Sequence, residues 1–393
     1  MTHLKESPLL RFHGLDTLRA AAILVVVLYH LRIGGLLPEI LIPAASVGWI
    51  GVDLFFVLSG FLIGSQLLKP YVDGAPPSLR DFYARRAYRI LPAYFTVLCL
   101  YLLFPLWREA PGPYAPWQYI TFTWNLLLLN YPESRAFSHV WSLCVEEHFY
   151  LLLPLLVLAF MRRPTVWKTL ALIAFIVLGG IALRAWLLGH VVLAPGVPDD
   201  TQGQLMMKYL YYPTYSRLDG LVVGVSLAIA RTFRAAWFSR ISHYGNLLFA
   251  CGLAAVLWAL RLCDFGFPDP DLRASILFAF PILSIGFGLL VTSAVSGRGI
   301  LTRRVPGAKA LATLAFSLYL THKSVAHATH QLLPSVTEKT DWRSTCIYFA
   351  VCIAFAALLY FAVERPFMRL RLRRAKRRMA GLVEREARLD PAI

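Results

Sequence analysis

The sequence is short of charge, and shorter still of acids. Only 16% of its 393 residues are charged, and 22 Asp and Glu stand against 39 Lys and Arg. A soluble domain carries about one-quarter charged residues, so a chain wrapped in a water-facing surface is excluded. Paired cysteines are missing as well. Cys99, Cys144, Cys251, Cys263, Cys346 and Cys352 lie mostly inside apolar runs, with no CxxC and no paired spacing, so neither a disulfide framework nor a metal site is implied. No internal repeat is visible, which weakens a transporter built from repeated halves. The basic start at residues 1–14 is followed by no small-residue cleavage site, so the first apolar stretch is expected to be retained.

What the chain has in abundance is apolar sequence, 58% of it, in runs about as long as a bilayer is thick. Ten spans are expected, at about 15–33, 48–68, 87–106, 143–160, 166–188, 213–230, 245–262, 273–294, 308–332 and 343–363. The expected fold is an all-α polytopic membrane protein: a membrane domain over residues 1–368 and a basic tail over 369–393. A net charge of +17 would suggest nucleic acid in a soluble protein. Here it follows the positive-inside rule, and no nucleic-acid partner is expected. With the N-terminus in the cytoplasm, the even-to-odd connections hold Lys69, Arg80, Arg85 and Arg86, then Arg162, Arg163 and Lys168, and similar groups later. The opposite connections hold few cations, and acids such as Glu109, Asp199, Asp264 and Glu338 partly balance them. This alternation places both termini in the cytoplasm. Two outer connections are long. Residues 107–142 contain an apolar piece, Tyr119 to Leu129, expected to be re-entrant or interfacial. Residues 189–212, rich in Gly, Pro and Asp, are expected to form a loop.

Ionisable residues inside a membrane mark a functional site by default. In the first span, LDTLRAAAILVVVLYHLRIGG, Arg19 and His30 are eleven positions apart. That is close to three helical turns, so both leave one face, separated by roughly 16 Å. A guanidinium can hold a phosphate or carboxylate, and an imidazole can move a proton. Either residue alone would also suit an interface, Arg19 by snorkelling to the headgroups. In the second span, GWIGVDLFFVLSGFLIG, Asp53 lies near the expected depth of His30 and is a candidate to orient it, or else a helix cap. Ser59, Gly60 and Gly64 have the spacing of a helix-packing motif. The stretch DFYARRAYRILPAYF brings Arg85, Arg86 and Arg89 to the cytoplasmic mouth. There they fit a phosphate clamp, although loop-charge bias alone also puts arginines there. HVWSLCVEEHFYLLLP carries Glu146 and Glu147 about a turn into an apolar helix, expected at the depth of His30. YPTYSRLDGLVVG offers Arg217 and Asp219, to pair or to bind a polar acceptor. AFSLYLTHKSVAH places Ser317, Tyr319 and His322 deep in the membrane, and VERPF reads as an interfacial Glu364–Arg365 pair. Guanidiniums thus collect inside, and imidazole and carboxylates outside. A ligand with phosphates at one end, a thin arm and a reactive tip at the other, such as an acyl-coenzyme A, has that shape.

Seven of these stretches, GLDTLRAAAILVVVLYH, GVDLFFVLSGFLIG, FYARRAYRILP, WSLCVEEHFY, SRLDGLVVG, SLYLTHKSV and VERPF, resemble in order the motifs of the acyltransferase-3 family of integral membrane O-acyltransferases. The likeness covers nearly the whole chain. It implies ten spans in a bacterial inner membrane. It also implies transfer of an acyl group, commonly acetyl, from acyl-coenzyme A as a donor substrate, with no cofactor held permanently. The acceptor it implies is a hydroxyl of a surface glycan, or less often of a lipid-linked sugar or a macrolide. His30 and Arg19 match the family's R-x10-H, Arg86 and Arg89 its RxxR, and Glu146 its SLxxE glutamate. His148 stands where relatives often have Gln. The chain as read shows no esterase-like domain after the membrane core, so the core alone or a separate protein is expected to serve the final acceptor.

The sequence therefore assigns His30 as general base, with Asp53 or Glu146 to steady it, and a covalent acyl-His30 intermediate stays open. Arg19, Arg85, Arg86 and Arg89 are assigned to the coenzyme A phosphates, and Arg217, Asp219 and His322 to the acceptor. Two rivals are a transporter of acylated or lipid-linked sugars and a non-catalytic sensor of acyl-coenzyme A or lipid. Release of free coenzyme A separates the enzyme from both.

Overall fold

The computed structural model describes residues 12–74, 77–129, 131–161, 165–337 and 339–389. Expectations that rest on residues 1–11, Arg162, Arg163 and Glu338 lie outside the described residues. The long helices are α1 (His13–Ile33), α2 (Ile50–Val72), α3 (Leu79–Leu103), α4 (Trp141–Met161), α5 (Val166–Leu187), α6 (Asp219–Phe233), α7 (Gly245–Leu262), α8 (Arg273–Ala294), α9 (Ala308–Leu332), α10 (Trp342–Leu359) and α11 (Arg365–Leu389). There is no strand among the described residues. Helices α1 to α10 overlap in sequence the ten stretches expected to be spans. Seven stretches are long and apolar enough to cross a bilayer: His13–Ile33, Glu39–Val72, Ser138–Met161, Val166–Val192, Gly245–Leu262, Arg273–Ala294 and Trp342–Arg378. An eighth would be α6 with the next helix, Ala235–Ser242, bent from it by 112°. Arg86 and Arg89 hold α3 below that standard, and Ser317, His322 and Lys323 do the same for α9. Both helices are interrupted by side chains that line the cavities described below.

Helix α1 packs against α2 and α9, α2 against α6, α7 against α8, and α9 against α10. The α2–α6 contact is the closest. A Cβ on Gly60 would run into the Leu221 carbonyl, and one on Gly224 into the Val57 carbonyl. Small residues let the two backbones touch, which is the packing role expected of Gly60 and Gly64. Helix α5 is the opposite case. Only Arg184 and Leu187 on it are buried, and Phe175 is 75% exposed. A helix apolar all round and this exposed is stable only against lipid. The chain is a multi-pass membrane protein.

Two buried ion pairs brace the bundle. Arg217 Nη2 donates to Asp53 Oδ1 at 2.8 Å, joining the start of α6 to α2. Arg184 Nη1 donates to Asp219 Oδ2 at 2.7 Å and to the Ser216 carbonyl at 2.8 Å, joining α5 to α6. Arg217 and Asp219 therefore do not pair with each other. The Arg217 guanidinium also lies 3.8 Å from the Phe280 ring centroid and 4.6 Å from that of Tyr211. Its side chain is closed off from solvent, so it is not placed to receive an acceptor.

Of the two long connections, the second differs from expectation. Tyr119 to Leu129 contains two short helices, Pro116–Ile120 at its start and Trp124–Leu127. Tyr119 and Trp124 are buried, and Asn125 Nδ2 donates to Thr214 Oγ1 at 2.9 Å. Ile120, Leu126, Leu127 and Leu129 of the same stretch are exposed, so one side packs on the bundle and the other is apolar and open, in keeping with an interfacial segment. Residues 189–212 are largely helical, with Asp199–Met206 started by Pro198 and two acids in its first turn, a favourable N-terminus. Glu364 accepts from Ser317 Oγ at 3.0 Å, while Arg365 lies over Phe361, so VERPF is not an ion pair. Helix α11 returns to the start of α3, where Arg378 Nη1 donates to Asp81 Oδ1 at 2.8 Å and Arg374 to the Tyr88 hydroxyl.

Asp53→Leu leaves the Arg217 guanidinium buried without its carboxylate and should cost about 3–5 kcal/mol; adding Arg217→Met should recover most of that loss. Denaturation of the purified protein in detergent measures both. A single variant as stable as the parent would remove the brace from this account.

Candidate functional site

Two cavities lie along the face of α1 that carries Arg19 and His30. The first, of about 110 Å³, opens among Arg19, Arg86, Arg89, Ser59, Glu146 and Tyr150. The second, of about 530 Å³, is lined by His30, His139, His322 and Lys323 and by aromatic rings including Tyr29, Tyr131, Trp141 and Phe267. Val52 and Tyr319 line both cavities. Tyr319 donates its hydroxyl hydrogen to the His139 carbonyl at 2.8 Å, and its oxygen is 2.5 Å from Ser142 Oγ.

In the arginine cavity, Arg86 Nη2 donates to Gln66 Oε1 at 3.2 Å and its guanidinium lies over the Tyr150 ring. Arg19 and Arg89 line the same cavity. Three guanidiniums thus share one cavity with the Glu146 carboxylate, while Asp16 also attracts Arg19 and Glu364 attracts Arg89; guanidinium forks of this kind suit the oxygens of an anion. Arg85 lines neither cavity, because one residue along a helix turns a side chain about 100° from Arg86. Glu146 also belongs here. It accepts from Ser59 Oγ at 2.9 Å and from the Tyr150 hydroxyl at 2.6 Å. Its expected depth beside His30 is therefore corrected: it lines the cavity of Arg19. Its neighbour His148, the departure from the family pattern, meets Thr214 Oγ1 at 2.7 Å with Nδ1.

In the histidine cavity, His30 Nδ1 is 3.0 Å from the Val26 carbonyl oxygen and 3.0 Å from His322 Nε2. The expected orienting carboxylates are not among its partners: Asp53 is committed to Arg217 and Glu146 to Ser59 and Tyr150. His322 comes from α9, 292 residues away in sequence. The next residue, Lys323, pairs with Glu109 Oε1 at 2.8 Å and donates to Ser138 Oγ at 3.2 Å. Glu109 also accepts from the Tyr101 hydroxyl at 2.9 Å, so the cation at this cavity is held in place from several sides. His139 packs its ring 5.2 Å from His322 and 6.2 Å from His30.

Sequence reasoning passed over His139, Lys323, Glu109 and Arg184. His139 and Lys323 lie inside stretches singled out for other residues, HVWSLCVEEHFY and SLYLTHKSV. A polar residue in an apolar helix was the available signal in each case. Glu109 was counted only as loop charge, and nothing local marks it.

The arrangement joins an anion-holding cavity to a cavity with a base-capable imidazole, a fixed cation and aromatic walls. The profile of the acyltransferase-3 family, described as an acyltransferase domain, matches residues 12–361. The O-acetyltransferase OatA of Staphylococcus aureus is 31% identical over 231 residues, 55% of this chain and 34% of that protein. The peptidoglycan O-acetyltransferase OatA of Listeria monocytogenes is 26% identical over 377 residues, 90% of this chain and 55% of that protein. The chain thus spans about half or less of the length of these relatives. No solved structure matches it. A family match that begins at the foot of α1 and runs to the end of α10, across every element that lines the two cavities, assigns the chain to the acyltransferase-3 family of membrane acyltransferases.

Proposed function

We propose that the protein is an O-acyltransferase of the bacterial inner membrane. It moves an acyl group, acetyl by the names of its relatives, from acyl-coenzyme A to a hydroxyl of a cell-wall or surface glycan. The observation that carries this reading is the pair of cavities on one face of α1, both bordered by Val52 and Tyr319. Arg19, Arg86 and Arg89 bind the phosphates of the donor. The pantetheine arm passes Val52 and Tyr319, and the thioester meets His30. The His30 imidazole takes the proton of the acceptor hydroxyl as its oxygen bonds the thioester carbonyl carbon. The carbon–sulfur bond then breaks, and the thiolate leaves with the proton returned by His30. Lys323 supplies positive charge beside the developing oxyanion. Asp53 braces the bundle through Arg217, and Glu146 balances the guanidiniums of the donor cavity; neither is needed to orient His30. The aromatic wall of the larger cavity receives the acceptor, since aromatic rings suit a ligand with one apolar face and a polar rim.

The same reading takes α1 to α10 as ten spans with both termini in the cytoplasm. Coenzyme A is too polar to cross the bilayer core, so its phosphates enter from the cytoplasmic face, and the acyl group is delivered to the far side.

Three results are expected. His30→Ala, correctly inserted, should lose acyl transfer by about a hundredfold or more; near-normal turnover would sink the mechanism. Arg86→Lys with Arg89→Lys keeps the charge but loses the guanidinium fork, so donor binding measured by titration should weaken while insertion is unchanged. In sealed vesicles with one orientation, acetyl-coenzyme A on the side of Arg86 and Arg89 should modify an impermeant acceptor only on the opposite side. Transfer that needs both on one side would reverse the polarity drawn here, and a protein that releases no coenzyme A at all would be a carrier or a sensor.

A further inference from the structure

The groups around His30 fix its tautomer without any carboxylate. His322 Nδ1 lies 3.1 Å from the Leu318 carbonyl oxygen and 2.8 Å from that of Tyr319. A carbonyl oxygen only accepts, so this nitrogen carries a hydrogen. A neutral imidazole has one N–H, and Nε2 of His322 therefore presents a lone pair. That lone pair faces His30 Nδ1 at 3.0 Å, and the Val26 carbonyl faces the same nitrogen at 3.0 Å. Two acceptors at one nitrogen require the hydrogen there. The free lone pair of His30 is then on Nε2, which has no protein partner among the described residues and belongs to a ring lining the larger cavity.

We propose that His322 is the positioning residue of the transfer reaction, holding His30 as the Nδ1–H tautomer with Nε2 presented to the cavity. This rests on the reading of His30 as the base. In the commonest triads a carboxylate does this work; here a second imidazole does, anchored in turn by two backbone carbonyls of its own helix. The chain of hydrogen bonds runs one way only, from His30 to His322 to the carbonyls of Leu318 and Tyr319. The acceptor hydroxyl then has one nitrogen to which it can give its proton. The proton that Nε2 receives goes on to the leaving thiolate, and none is lost to the chain. The other groups at this cluster leave that direction intact: His139 faces the Leu320 carbonyl with Nε2 at 3.2 Å, and Lys323 is paired with Glu109.

The test compares His322→Phe, which keeps a planar ring but no acceptor, with His322→Gln, whose amide oxygen can stand where Nε2 stood. The phenylalanine variant should lose kcat by about a hundredfold, in the range of general-base catalysis, with little change in KM, and the glutamine variant should regain most of it. Equal losses in both, a loss confined to KM, or no loss would overturn the proposal. Nitrogen-15 signals of labelled histidine in the full-length protein, with His30 identified from His30→Ala, give a second readout. They should show a hydrogen on Nδ1 of His30 in the parent and a mixture of tautomers in His322→Phe. A hydrogen on Nε2 in the parent overturns the lock. An unchanged Nδ1–H in His322→Phe assigns the lock to the Val26 carbonyl and overturns the role of His322. If the parent transfers no acyl group, the proposed function fails and takes the catalytic role of His322 with it, while the nitrogen signals, which need no turnover, still decide whether His322 fixes the His30 tautomer.

Discussion

Charge held at membrane depth must either be paired or reach water, because removing an ion from water costs several kcal/mol even after the protein relaxes. This bundle contains both solutions within a few helices. Arg217 and Arg184 are fully enclosed, and each has a carboxylate within 2.8 Å. Arg19 and Arg89 instead line a cavity, which Glu146 shares. The contrast separates architecture from chemistry. The enclosed pairs fasten α5, α6 and α2 together. In the proposed reaction the guanidiniums that line the cavity are those that take the phosphates of the donor.

The same constraint shapes the histidine side. Three imidazoles lie close together there, and each has one ring nitrogen against a backbone carbonyl rather than an acid. The nearest carboxylate of the cavity wall, Glu109, is already taken by Lys323. An imidazole oriented in this way has a defined free nitrogen and no negative neighbour of its own to hold a proton on it, which favours passing the proton onward. Tyr319 ties the two sides together. It lines both cavities, and its hydroxyl is held by Ser142 and the His139 backbone, so the route between anion site and base runs past one aromatic side chain.

Much of this was legible in the sequence, and what was not has a physical cause. Helical periodicity placed Arg19 and His30 on one face, and each lines a cavity on it. Runs of apolar residues located ten of the eleven long helices, including α3 and α9, whose polar residues interrupt their apolar character. Periodicity gives the face a side chain leaves from, but not what stands opposite. The partner of Asp53 is 164 residues away and that of His30 is 292 residues away, and both depend on how helices far apart in sequence pack. Glu146 was misplaced for a related reason. Its position along α4 was readable, but the depth of α4 against α1 is set by its contacts with Ser59 and with the polar groups around Arg86. The Gly60 and Gly64 spacing succeeded because close backbone packing needs small residues at fixed intervals whatever the partner.

The central claim is that one ligand occupies both cavities at once, with its phosphates on Arg19, Arg86 and Arg89 and its acyl end at His30. A structure of the protein with a non-hydrolysable acetyl-coenzyme A analogue measures this directly. The account predicts density continuous past Tyr319, with the phosphates in the arginine cavity and the acyl carbonyl within hydrogen-bonding range of the His30 side of the larger cavity. Phosphate density among His30, His322 and Lys323, or an analogue confined to one cavity, would contradict it.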